Sequence, residues 1–257
     1  MTTSLRILLD GLIDYAGLFP PAALAMHDAT RNYARYRESE HSWALGRFVV
    51  QQERLQEVPR TFPLSVLATP ASIPAREPVL EIKATSEAEI EQVARQASGR
   101  TVFIEITDLS LLEAIRAHNF HAKIRTGGLT AQAFPTAETI ATFLRACKAA
   151  GVAFKATAGL HHPLRCVKPL TYEPNAPAGA MHGFVNVFLA AALLDQAEEI
   201  LAEDNPHAFA FEDDHASWRE FRVPNDELRA MRQTFGMSFG SCSFEEPIAD
   251  LKELGWL

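Results

Sequence analysis

Apolar positions along the chain alternate between short strand-like runs and longer helical stretches. The strand-like runs are Asp14 to Phe19, Leu45 to Gln51, Phe62 to Ala68, Val79 to Ala84, Thr101 to Thr107, His121 to Thr126, Val152 to Ala158 and Met237 to Cys242. Helical patterns fill most of the gaps. Thr3 or Ser4 can cap a first helix reaching about Ile13. Pro20 and Pro21 stop the first strand and open a helix over about Ala22 to Glu38. Ser86-Glu87-Ala88-Glu89 has the form of a capping box, with its helix ending near Gly99. Further helices are expected from Asp108 or Ser110 to Ala117, from Ala137 to Ala150, from His182 to Ala202, after Pro224-Asn225-Asp226, and from Glu245 to Gly255. Ala208 to Phe211 and Trp218 to Val223 suggest a hairpin.

Strands that alternate with helices imply a parallel sheet. Eight such units in 257 residues suit a closed (β/α)8 TIM-type barrel, with an N-terminal helix and a hairpin insertion before the last strand. The expected organisation is a single barrel domain over residues 1–257.

In such a barrel, side chains that meet the helices are apolar, so polar residues at alternate strand positions face the barrel axis. That rule turns Glu81 and Lys83 of the fourth strand inward, with Glu105 and Thr107 of the fifth. It does the same for His121, Lys123 and Arg125 of the sixth strand, and for Lys155 and Thr157 of the seventh. A buried lysine is costly unless it is paired or used. The cluster therefore reads either as a structural ion-pair network or as an active site at the C-terminal strand ends. Burial and neighbouring cations lower a lysine pKa, while ionised Glu81 or Glu105 close by opposes that shift.

Composition narrows the function classes. The formal net charge of -8 argues against a broad nucleic-acid or anionic-membrane surface. Leu5 to Leu12 is broken by Arg6 and Asp10, which does not suit a secretion signal. The apolar run Phe184 to Leu194 is too short to span a bilayer. Cys147, Cys166 and Cys242 are an odd set without close pairing, as expected of reduced thiols in the cytoplasm.

Other candidates lie just past the strands. Gly127-Gly128 and Gly240-Ser241 can let backbone amides approach an anion. An anion is expected between the Gly159 turn and the Gly240 to Ser243 turn. His161 and His162 are expected as substrate contacts; their side chains diverge, which does not favour a shared metal ion. Asp14 can reach the site or merely anchor the N-terminal helix. The proline-rich connection Leu160 to Ala180 is expected to be a loop covering the site.

The unit from the fifth to the seventh strand resembles deoxyribose-phosphate aldolases, class I aldolases with a barrel fold. Lys123, Thr126 and Gly127 match their Lys-x-x-Thr-Gly, and Lys155, Ala156, Gly159 and Leu160 match their Lys-Ala-x-x-Gly-aliphatic. Val102-Phe103-Ile104-Glu105 is close to their Val-Ile-x-Glu, and Gly240-Ser241-Cys242-Ser243 is similar to their Gly-x-Ser-Ser phosphate-binding turn. Arg125 stands where the family has a small polar residue, and Ala158 where it has glycine. The family's fourth-strand aspartate has no counterpart.

The resemblance implies a lyase in which Lys123 forms a Schiff base and Lys155 tunes its pKa. The partner would be a small carbonyl compound, with or without a phosphate. Glu105 or Glu81 would move protons. Arg125, Thr126, Gly127, Gly128, Gly159, His161, His162, Gly240, Ser241 and Ser243 would contact the substrate. No cofactor or metal is required by this reading, neither nucleic acid nor membrane is a partner, and a homo-oligomer stays open. Two alternatives remain: a Mg-dependent acid–base enzyme using Glu81 and Glu105, and a non-catalytic ligand-binding barrel.

Overall fold

A computed structural model describes all 257 residues. Eight parallel strands close into a barrel: β1 (Ile13–Tyr15), β2 (Leu45–Gln51), β3 (Leu64–Ala68), β4 (Val79–Lys83), β5 (Thr101–Glu105), β6 (His121–Arg125), β7 (Phe154–Thr157) and β8 (Gly236–Ser241). Closure comes from β1, which pairs with β2 on one side and β8 on the other. The (β/α)8 barrel expected from the alternation is the observed fold.

Local chemistry explains where the elements begin and end. Ser86 Oγ accepts a hydrogen bond from Glu89 N at 3.3 Å, and Glu89 Oε2 accepts one from Thr85 N at 2.6 Å. That reciprocal pair starts the helix Glu87–Ala97. Thr136 caps Ala137–Ala150 by accepting from Thr139 N at 3.1 Å, and Gly151 ends it in the left-handed conformation. Ile140, Phe143, Leu144 and Cys147 are the buried stripe of that helix, and Phe143 meets Phe154 of β7 edge to face. Phe154 therefore faces the helix layer and Lys155 the axis, as the alternation requires.

Several boundaries differ from the sequence reading. The first helix is Thr3–Leu9, shorter than expected, and β1 ends at Tyr15. The second helix begins at Met26, after a Pro20–Pro21 turn and an irregular stretch ending at Ala25. The single helix expected from His182 to Ala202 is two, Phe184–Ala192 and Ala197–Ala202, joined by a 3-10 turn at Leu194–Gln196. The hairpin insertion has three strands: Phe209–Phe211, His215–Trp218 and Phe221–Pro224. The N-terminal helix packs on that sheet, where Ser4 N donates to Glu212 O at 3.2 Å. The connection after β7 holds an antiparallel ribbon, Cys166–Pro169 with Ala178–Met181. No helix is long and apolar enough to cross a membrane.

Replacing Ser86 by Ala should lower stability by about 1 kcal/mol, because one N-terminal amide of Glu87–Ala97 loses its acceptor. Urea denaturation of the two proteins checks this; equal midpoints would show that the cap contributes nothing.

Candidate active site

The axis of the barrel carries a continuous chain of buried charge. Lys123 and Lys155 lie side by side in the β6–β7 register. Glu81 bridges them: its Oε2 accepts from Lys123 Nζ at 2.9 Å and its Oε1 from Lys155 Nζ at 2.6 Å. The chain extends at both ends. Lys155 Nζ also donates to Asp14 Oδ2 at 2.5 Å, and Lys123 Nζ lies 3.0 Å from Glu105 Oε2. Three carboxylates thus enclose two ammonium groups.

Remaining lone pairs are satisfied as well. Ser65 Oγ donates to Glu81 Oε1 at 2.7 Å, Ser238 Oγ to Asp14 Oδ2 at 2.9 Å, and Arg47 N to Asp14 Oδ1 at 2.6 Å. Such pairing is the condition for keeping charge inside a protein. Burial alone would push the Glu81 carboxyl up. The ammonium groups of Lys123 and Lys155, with the bonds from Lys155 and Ser65, outweigh it and hold Glu81 well below the usual carboxylate range. Burial pushes Lys155 down, but Asp14 and Glu81 outweigh that and hold it above its ordinary value.

A cavity of about 200 Å³ opens at the C-terminal ends of the strands, directly over this chain. Lys123, Glu81, Glu105, Arg125, Gly128, Gly159, His161 and Gly240 all line it. Phe19, Pro20, Pro21, Val49, Leu67 and Leu129 supply apolar wall. Lys155 is 0% exposed and lies outside the cavity wall. The two lysines therefore differ: Lys123 can be reached by a ligand and Lys155 cannot.

Other expected contacts sit elsewhere. Thr126 is fully buried, and its hydroxyl donates to Ala158 O at 2.7 Å and Thr157 O at 3.1 Å. It ties the ends of β6 and β7 together. Gly127 serves the same junction, since a Cβ there would come within 2.8 Å of Gly159 Cα. His162 turns away from the cavity, as successive residues in an extended segment must; its Nδ1 lies 2.5 Å from Asp250 Oδ2. Ser241 Oγ accepts from Ser243 N at 3.4 Å, and Ser243 Oγ accepts from Glu246 N at 3.1 Å. Neither serine lines the cavity. The helix that follows, Glu245–Glu253, opens with two glutamates, which disfavours the anion expected at this turn. Lys83, expected inward, is exposed at the end of β4.

The sequence reading does not place six residues of the site. Asp14 was left undecided because β1 is only three residues long and shows no alternation of its own. Ser65 and Ser238 carry a weak signal, a polar residue between apolar neighbours on β3 and β8. Glu246 and Tyr172 are surface-type residues brought in by tertiary packing. Tyr172 OH donates to Glu246 Oε2 at 3.2 Å, and Glu246 Oε2 lies 3.5 Å from His161 Nδ1. Cys242, expected only as a reduced thiol, lines the cavity with Sγ 3.6 Å from His161 Nδ1. Burial would lower the His161 pKa, but Cys242 and Glu246 outweigh it and raise it to about 9. No group of three or more His, Cys, Asp or Glu side chains has metal-holding geometry.

No family model matches the chain, and no curated protein does. Among solved structures, a lysine/ornithine decarboxylase from Vibrio vulnificus, complexed with cadaverine, is similar over 60% of this chain and 49% of that one. The TM-score is 0.38 at 10% identity, and the chain spans about half the length of that protein. A likeness of this size carries no functional inference.

Replacing Lys155 by Met should cost about 3–5 kcal/mol, because Asp14 and Glu81 then face each other without their shared cation. Adding Asp14→Asn should recover part of that loss, which chemical denaturation of the single and double variants measures.

Stability should also fall on both sides of a plateau. The depressed Glu81 carboxyl contributes above its unfolded pKa of about 4.3 and is lost as pH falls through its folded value. The raised His161 contributes fully below its unfolded pKa of about 6.5 and is lost as pH rises through about 9. Denaturation midpoints across pH should show both slopes, with the alkaline one flattened in Glu246→Gln.

Proposed function

We propose that this barrel is a class I aldolase-type lyase, in which Lys123 condenses with a small carbonyl compound. One observation carries the reading: the Lys123 amine is the lysine nitrogen accessible from the cavity, and it sits between two proton acceptors, Glu81 and Glu105. A protonated amine must lose a proton before it attacks a carbonyl. Glu81 has both oxygens committed, whereas Glu105 is 15% exposed at its side chain and makes one ion pair. Glu105 is therefore the group that takes the proton from Lys123.

Lys155 acts from below. Its ammonium sits on the opposite side of Glu81 and offsets part of that carboxylate's charge. The amine then adds to the carbonyl carbon, water leaves, and the resulting iminium withdraws electrons from the bond to the neighbouring carbon. Arg125 and the protonated His161 at the wall suit a substrate with an anionic group. The cavity volume limits that substrate to a small molecule.

The Mg-dependent alternative is less well supported, because Glu81 and Glu105 already hold ammonium groups that a cation would have to displace.

Incubation with acetaldehyde, glycolaldehyde, pyruvate or dihydroxyacetone, followed by borohydride, should leave a stable adduct on the peptide that contains Lys123. Lys123→Met should abolish it. An unlabelled wild-type protein at saturating carbonyl, or a label confined to other lysines, would sink the proposal.

A further inference from the structure

Resting on the amine chemistry proposed for Lys123, the geometry points to His161 as the acid–base residue serving the substrate's oxygen and α-carbon, with Glu246 as the positioning residue behind it.

The assignment follows from which groups are free. Lys123 needs Glu105, and Glu81 is saturated. The guanidinium of Arg125 is a donor with no acceptor site. His161 lines the same cavity and binds neither lysine. Its Nδ1 lies 3.5 Å from Glu246 Oε2 and 3.6 Å from Cys242 Sγ. With Nδ1 engaged by Glu246 and Cys242, Nε2 is the ring nitrogen left for a ligand. A carboxylate behind one imidazole nitrogen fixes ring orientation and tautomer and steadies the charged form. Glu246 is itself held, by Tyr172 OH at 3.2 Å and through its own N–H to Ser243 Oγ at 3.1 Å. The long Glu246–His161 contact is of the kind that shortens when a ligand fills the site.

Two proton transfers can use the same atom. In the carbinolamine formed on Lys123, Nε2–H gives its proton to the hydroxyl; the C–O bond breaks and water leaves. The neutral Nε2 then takes a proton from the α-carbon. The C–H electron pair becomes a C=C bond, the iminium π pair returns to nitrogen, and His161 ends as it began, protonated.

The groups facing His161 are Cys242 at the end of β8, Glu246 of the last helix, Tyr172 of the ribbon connection and the adjacent His162, whose ring centroid is 6.3 Å away and which is bound to Asp250. Lys123, Glu105 and Arg125 share the cavity with it. Of these, Glu246 is the one carboxylate in ion-pair range of its ring.

The test is α-proton exchange. Acetaldehyde or pyruvate is incubated in D2O with the enzyme, deuterium at the α-carbon is followed by NMR, and parallel samples are trapped with borohydride to their end point. His161→Gln should still give the Lys123 adduct but exchange at least about 100-fold more slowly, the scale of acid–base catalysis. Glu246→Gln should shift the alkaline limb of the exchange profile to lower pH, and Glu246→Asp should restore it. His162→Gln should exchange like wild type. Exchange by His161→Gln within threefold of wild type would overturn the proposal, as would a wild type that traps carbonyl without exchanging. Wild-type exchange without any adduct would remove the Schiff base, and the His161 variant would then be judged on exchange alone. A wild type showing neither overturns both.

Discussion

The barrel is organised around one carboxylate. Glu81 accepts from Ser65 and from two lysines, and every other charge on the axis is arranged through it. Coulomb attraction inside a barrel is strong, but so is the cost of taking ions out of water, and the two nearly cancel unless each ion is fully bonded. Here Asp14, Ser65 and Ser238 complete the bonding around Lys155, while Glu105 does so for Lys123 at the cavity edge. The same network that permits buried lysines also leaves one of them within reach of a ligand. In the proposed reaction, function and stability compete for the same bonds, since freeing Lys123 means loosening its ties to Glu81 and Glu105.

Much of this was legible because strands have a period of two. Once Leu80, Ile82, Ile104, Ala122, Ile124, Phe154 and Ala156 are assigned to the helix layer, Glu81, Glu105, Lys123 and Lys155 have only one place to go. The rule weakens at strand ends, where Lys83 escapes to solvent and Arg125 reaches the cavity while staying largely exposed. It fails for β1, where three residues are too few to display a period, so Asp14 stayed ambiguous. Likewise the ribbon in the Leu160 to Ala180 connection rests on two four-residue strands among prolines, too little for a sequence signal.

The glycine-bearing motifs were legible in position but not in role. Thr126, Gly127 and Gly159 match a known pattern, and phosphate binding is one use of such turns. In this chain they bring two backbones into contact and lock β6 to β7, which fixes the spacing of Lys123 and Lys155 one turn below. Ala158 takes φ +64 beside Gly159 at φ +74, a conformation glycine adopts more cheaply. Cys242, Glu246 and Tyr172 come together from β8, the last helix and the ribbon; no local pattern links such distant segments.

The alternating charge along the axis also gives the cavity a polarity. Three carboxylates against two ammonium groups leave the floor with one excess negative charge, while Arg125 and the protonated His161 stand at the wall. The field therefore points along the barrel and sorts entering molecules by which end leads. In the reaction proposed for Lys123, a ligand with an anion at one end would lie with that end outward and its neutral, electrophilic end toward Lys123. Reversing it would bring two negative charges together in a poorly screened space. Under that proposal, orientation in this pocket would be set by the long-range potential before any short contact forms, and a molecule without a charged end would enter with no such guidance.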